Sequence, residues 1–272
     1  MQLFHPPILN AKPTIVYDTT QSDTNLGTSI VFGLGVTDPI HVDVVVASGV
    51  ILGAGSTSSY GLDFNGVPAG SVVTLIVVGR IQGAGGAGGD AAASTSSNFA
   101  SGGGGGGQGS IVGAGGLGGN RPSDPTSDGS DGTTEAGGAA GVADSFVTST
   151  RDYLVDNGFT QNGEDGGDAL RTLNIGTLVI NYGEIWGGGG GGGAGGLSAG
   201  DLETWDGGAG GGAGQAGANS PQETGPPAGG NAPIAIAYGV GGAAGAAIRG
   251  NFVTIVTGGS SPNIEGAVTS WP

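Results

Sequence analysis

The chain has 272 residues, 66 of them glycine, no cysteine, and a formal charge of −16 at pH 7. Its six Lys and Arg residues (Lys12, Arg80, Arg121, Arg151, Arg171 and Arg249) are scattered, so no basic stripe exists to bind nucleic acid or an anionic membrane. Without cysteine, disulfides and thiolate metal sites are excluded.

MQLFHPPILNAKP at the start lacks the cationic n-region and apolar run of a secretory signal. The longest apolar run, Val72–Val78, is far too short to span a bilayer. TIVY (14–17), TSIVFGLGV (28–36), IHVDVVVA (40–47) and SVVTLIVV (71–78) are rich in β-branched residues and separated by turn residues, which predicts strands. In the third run Ile40, Val42, Val44 and Val46 share one face and His41 and Asp43 the other, as in a half-buried strand. No window has the period of an amphipathic helix. Residues 1–78 therefore read as a small all-β domain, and 79–272 as a second region of different character.

From Gly79 onward, glycine-dense tracts alternate with apolar runs (LNIGTLVINY 173–182, IAIAY 234–238, FVTIVT 252–257) and irregular polar stretches. The tracts keep a period of three. Ala84, Ala87 and Asp90 recur every third residue, as do Ile111, Ala114, Leu117 and Asn120, and Gly239, Gly242 and Gly245. Three residues per turn is the repeat of the polyproline-II-type helix, whose backbone makes no hydrogen bonds to itself. Its N–H and C=O groups need partners elsewhere, and a bundle of such helices supplies them only where glycine lets backbones approach. A flexible linker has no reason to keep phase. The seven glycines Gly187, Gly188, Gly189, Gly190, Gly191, Gly192 and Gly193 thus predict an interior helix with neighbours on all sides, and Trp186 marks the point where strand becomes polyglycine. TLIVVGRIQGAGGAGG (74–89) and TLVINYGEIWGGGGGGGAGG (177–196) share one plan, and FVTIVTGGSSPNIEGAV (252–268) is a third copy without its tract. Such units imply stacking.

GRIQGAGGAGG and GGDALRTLNIGTLVINYGEIWGGGGGGGAGG resemble the glycine-rich tail-fibre-tip adhesins of T-even-like bacteriophages, over roughly residues 50–272. The resemblance implies a sandwich of polyglycine-II helices carrying receptor-binding loops, on a mainly β, helix-poor chain. It also implies a place at the tip of a phage tail fibre, with a bacterial outer-membrane protein or surface glycan and a phage tail-fibre protein as partners. The first 50 residues lack the Trp-containing docking segment of that family, and residues 1–78 are expected to make the virion attachment. An ice-binding polyglycine bundle, or a fibre-assembly chaperone or cap without receptor contact, are the alternatives.

GAGGAG (83–88) and GAGGLG (113–118) both fit G-x-G-x-x-G, but no helix pattern follows to bind a pyrophosphate. Lys12, the only lysine, has no glycine loop before it, which excludes a P-loop. DPTSDGSDGTTE (124–135) and NGEDGGDAL (162–170) carry the oxygen ligands calcium takes; the plainer expectation is solvated loop carboxylates, with no metal and no cofactor. His5 and His41 suggest no nucleophile–base pair, so no enzyme activity is expected. The irregular stretches between tracts hold Phe99, Phe146, Arg151, Tyr153, Phe159 and Trp205. Loops on a rigid scaffold are where recognition sits, and exposed aromatics are preferred anchors, so these six are the candidate receptor-binding residues.

Overall fold

The computed structural model describes residues 12–91, 99–100, 102–116, 128–141, 144–145, 161–173, 175–195, 206–221, 239–258 and 263–270. The strands come in repeating triplets. β1 (Thr14–Tyr17), β2 (Gln21–Ser22) and β3 (Thr24–Asn25) form a first coil; β4 (His41–Val46), β5 (Ile51–Gly53) and β6 (Leu62–Asp63) a second. The third coil holds β7 (Val72–Val77) and β8 (Arg80–Gln82), then a long excursion containing β9 (Phe99–Ala100) and β10 (Asp144–Ser145), then β11 (Leu170–Leu173). β12 (Gly176–Asn181), β13 (Glu184–Trp186) and β14 (Ile248–Gly250) make the fourth coil, and β15 (Val253–Thr257), β16 (Asn263–Glu265) and β17 (Val268–Thr269) the fifth.

Equivalent strands stack into three five-stranded parallel sheets. The first has the order β1-β4-β7-β12-β15, the second β16-β13-β8-β5-β2, and the third β17-β14-β11-β6-β3. The chain is thus wound into a three-sided solenoid, in which each coil packs on the coils beside it. Its mainly β, helix-poor character is as expected. The inward face of the first sheet shows the anticipated alternation: Val42, Val44 and Val46 of β4 and Val73, Leu75 and Val77 of β7 are fully buried. They join Leu52, Leu62, Ile81, Leu170, Ile185 and Ile248 from the other two sheets in one core.

The repeated units recognised in the sequence are coils three, four and five. Their register aligns on the turn glycines, so that Arg80 stands beside Glu184, Ile81 beside Ile185 and Gln82 beside Trp186. The strands before residue 78 stack on these units in the same sheets, and the change of composition there falls inside the third coil, just before the first excursion. One expected strand is not one. Residues 28–36 do not extend; Leu26–Thr28 is a helical turn, continued as a wider turn over Ser29–Gly33. The Asn25 side chain accepts from the Thr28 N–H at 2.8 Å, and the fully buried Leu26 and Ile30 insert into the core. Local capping and two buried side chains override the β-branched composition. The run 234–238 lies outside the described residues.

The step from the second sheet to the third sets the shape of the molecule. It takes one residue in the first coil and two in the fifth, but residues 83–169 in the third and 187–247 in the fourth. Both excursions leave from this one corner, and their described residues are mostly glycine tracts hydrogen-bonded to one another.

Candidate functional site

The tract 187–195 is buried throughout and shows how the bundle is held. The N–H groups of Gly188, Gly191 and Ala194 donate to Gly167, Glu164 and Gln161 at 2.8–3.2 Å; those of Gly189, Gly192 and Gly195 to Gln108, Gly105 and Gly102; those of Gly190 and Gly193 to Gln215 and Ala218. Its carbonyls accept in the same rhythm. Trp186, Gly189 and Gly192 take Gly83, Gly86 and Gly89; Gly187, Gly190 and Gly193 take Gly214, Gly211 and Gly208; Gly188, Gly191 and Ala194 take Gly245, Gly242 and Gly239. Six tracts therefore surround it, with partners changing every residue and repeating every third. A Cβ on any of Gly187–Gly193 would run into neighbouring backbone; at Gly190 it would lie 2.5 Å from the Gly242 carbonyl carbon and 2.8 Å from the Ala243 oxygen. Trp186 ends β13 at the base of this tract, buried, with the Arg80 guanidinium stacked 3.9 Å over its ring. Arg80 also pairs with Glu184 and Glu135 at 2.5 and 2.6 Å.

The hydrogen-bond registers fix the direction of every described tract. Residues 83–91, 111–116, 136–141, 187–195 and 214–221 run away from the solenoid; 102–110, 128–134, 161–168, 206–213 and 239–246 run back. At the near end the returns are tight. Gln108, buried, ties two of them together, donating from Nε2 to the Thr134 carbonyl at 3.0 Å and accepting from the Ala213 N–H at 2.7 Å. At the far end, lateral bonds join Gly89 to Gly104, Gly104 to Gly116, Gly116 to Gly129, Gly141 to Gly207, Gly193 to Gly208, Gly102 to Gly195 and Ala194 to Gly239. The sequence between each outgoing and returning tract therefore starts and finishes at this hydrogen-bonded far end, opposite the coils.

All six candidate recognition residues lie, in sequence, between such paired tract ends. Phe99 belongs to β9, which pairs antiparallel with β10 so that Phe99 stands opposite Ser145, the neighbour of Phe146. Phe146, Arg151, Tyr153, Phe159 and Trp205 themselves fall outside the described residues.

The polar positions of the tracts have a role that composition alone did not reveal. Asn162, Asp165 and Asp168 are three apart, and their side-chain oxygens accept from the N–H groups of Val240, Ala243 and Ala246 at 2.9, 2.7 and 2.7 Å. Asp131 does the same for Gly115 and Asn219 for Gly241. Where an outer tract has no further neighbour among the described residues, a carboxylate or amide from the adjacent tract takes the exposed N–H. Asp168, buried, also pairs with Arg249 at 2.7 Å. The carboxylates at 165 and 168 are thus structural acceptors rather than solvated loop charges, and among the described residues no group of acids and histidines is placed to hold a metal ion. The signal was the three-residue spacing of N-x-x-D-x-x-D. The GAGGAG segment is likewise committed: Gly83, Gly85, Gly86 and Gly88 donate to Trp186, Ile111, Gly189 and Ala114, so no N–H row faces a phosphate. Among the described residues no helix is long and apolar enough to cross a membrane.

Residues 12–101, a third of the chain, match the family described as Phage tail fibre adhesin Gp38. The resemblance read from the glycine tracts is to phage tail-fibre adhesins as well, and the match extends it into the first 50 residues, where the sequence had suggested a departure. No curated protein matches by sequence. Among solved structures, the gp37-gp38 adhesin tip complex of the bacteriophage S16 long tail fibre is 15% identical, covering 94% of this chain and 82% of that one, with a TM-score of 0.43.

Proposed function

We propose that the chain is the receptor-binding adhesin of a phage tail fibre, in which a polyglycine-II bundle presents recognition loops to a bacterial outer-membrane protein or surface glycan. The observation that carries this is the far end of the bundle. Five pairs of tract ends meet there, laterally hydrogen-bonded, and every long polar insertion of the sequence is anchored between them. The partner repeat of three is the geometry a polyglycine-II helix gives its backbone. Anchoring both ends of each loop on a stiff platform lowers the conformational entropy lost on binding. Recognition of this kind needs no chemistry, and the glycine N–H groups that could have cradled a phosphate are already bonded.

In this reading Phe99, Phe146, Tyr153, Phe159 and Trp205 supply anchors, and Arg151 a charge-assisted contact to an acidic receptor. Residues 1–78 contribute the attachment to a phage tail-fibre protein, the neighbour named in the S16 complex. The adhesin then belongs to the virion and acts outside the host cell, with no nucleic-acid partner and no insertion into the membrane. The test is direct: purified protein should bind intact host cells and block adsorption of the phage. Tyr153→Ala with Phe159→Ala should abolish both without changing the melting temperature. Wild-type protein that neither binds cells nor competes would sink the proposal.

A further inference from the structure

The solvent face of the first sheet is unlike an ordinary solenoid face. Its registered outward row reads Val16, Val45, Ile76, Ile180 and Val256 from the first coil to the fifth. The next row reads Thr14, Asp43, Thr74, Leu178 and Thr254. Alternation normally sets polar residues on an outer face, yet here an aliphatic ladder crosses all five strands. Val72, Val78 and Tyr182 border it, and among the described residues six of the twelve exposed large apolar side chains (Val16, Val72, Val78, Tyr182, Phe252 and Val256) lie on or beside it. In a chain of charge −16, Asp43 is the one charged residue of these strands, and the Lys12 ammonium pairs with it. At the edge where β15 begins, Phe252 is 75% exposed and holds a positive φ of 58°. A bulky residue there is strained, and its ring gains no burial in return.

The position of this face narrows its use. In a three-sided solenoid the corner from which the glycine excursions leave lies opposite the first sheet, so the ladder looks away from the loop-bearing end. We infer that this face, built by strands from both ends of the chain, is the surface on which the adhesin docks to its tail-fibre protein, through an uncharged apolar end of that partner. The inference rests on the tail-fibre reading above and places its attachment site. A second copy of the chain is the poorer occupant. Five strands about 4.8 Å apart and some six residues long give a patch of about 400 Å², half of the roughly 800 Å² each partner gives a standard interface, and pairing would bring together two chains of the same high negative charge. Residues 12–101, which match the tail-fibre adhesin family, include three of the five strands.

Two variants test this in phage lacking the gene and supplied with the protein in trans. Ile76→Lys with Ile180→Glu puts an opposite-charge pair on neighbouring strands, which the sheet tolerates; Phe252→Gly relieves the positive φ and removes the ring. Both should leave the melting temperature unchanged or, for Phe252→Gly, slightly raised, and should leave the binding of purified protein to host cells at wild-type level. Immunoblots of purified particles should show at least a tenfold drop in incorporated adhesin. Wild-type incorporation of both variants overturns the docking face. So does a wild-type dimer in solution that the variants dissociate, because it names a second copy as occupant. Should the charged pair lower the melting temperature, Phe252→Gly decides alone. Wild-type protein that binds cells but never enters particles overturns the attachment site while leaving loop recognition intact.

Discussion

Replacing Gly190 by alanine puts one methyl group where the Gly242 backbone now runs, 2.5 Å from its carbonyl carbon and 2.8 Å from the Ala243 oxygen. Unstrained carbon contacts need about 3.5 Å or more, so the tract 239–246 must retreat by roughly 1 Å. Three hydrogen bonds cross that boundary, from Gly239 to Ala194, Gly242 to Gly191 and Gly245 to Gly188, at 2.8–2.9 Å. Stretched by that amount they fail, at about 1 kcal/mol each net. The expected loss of about 3 kcal/mol corresponds to roughly 6–12 °C in melting temperature for a chain of this size. Gly212→Ala is the control within the same bundle, since its Cβ would meet only the ends of the Gln215 and Gln108 side chains, at 3.2 and 3.5 Å. It should change the melting temperature by no more than about 2 °C. In a linker the same Gly→Ala change would be neutral or slightly stabilising through the unfolded chain. Equal melting temperatures for the two variants in a calorimetric scan would refute the account of the tract as the bundle's centre.

Asp168→Ala should cost about 3 kcal/mol, because it strands both the Ala246 N–H and the Arg249 guanidinium. Asp165→Ala, at an exposed position with one backbone partner, should cost about 1 kcal/mol; urea midpoints would rank them, and chelators should alter neither. Arg80→Ala removes the pairings with Glu184 and Glu135 and the stack on Trp186, and should lower the urea midpoint more than Arg80→Lys, which keeps the charge but loses the planar fork. Burial of Tyr17 raises its phenol above the usual value of 10.0, opposed by the Ser29 hydrogen bond. The neutral form thus keeps its full contribution below pH 10, and stability falls as the pH climbs toward the raised value. Tyr17→Phe should flatten that part of the denaturation profile.

Much of this was legible in the residues themselves. Glycine is the one side chain that permits backbone packed on every side, so seven in a row after Trp186 already specified an enclosed tract. The recurrence of Ala84, Ala87 and Asp90 at every third position already separated it from a tether. The alternation over 40–47 set the inward face of β4 for a similarly local reason. The tertiary structure decided what depends on residues far apart in the chain. Parallel pairing puts β1 and β4 in one sheet with β15, more than 200 positions on, and no local pattern records which strand comes next in such a stack. Polyglycine has no side chains to name its neighbours, so only the hydrogen-bond registers reveal the direction of each tract, and with it the common end of the loops. The carboxylates of Asp165 and Asp168 looked like solvent-facing charge until the tract 239–246 lay beside them, because a lone N–H at the rim of a bundle exists only once the bundle is assembled.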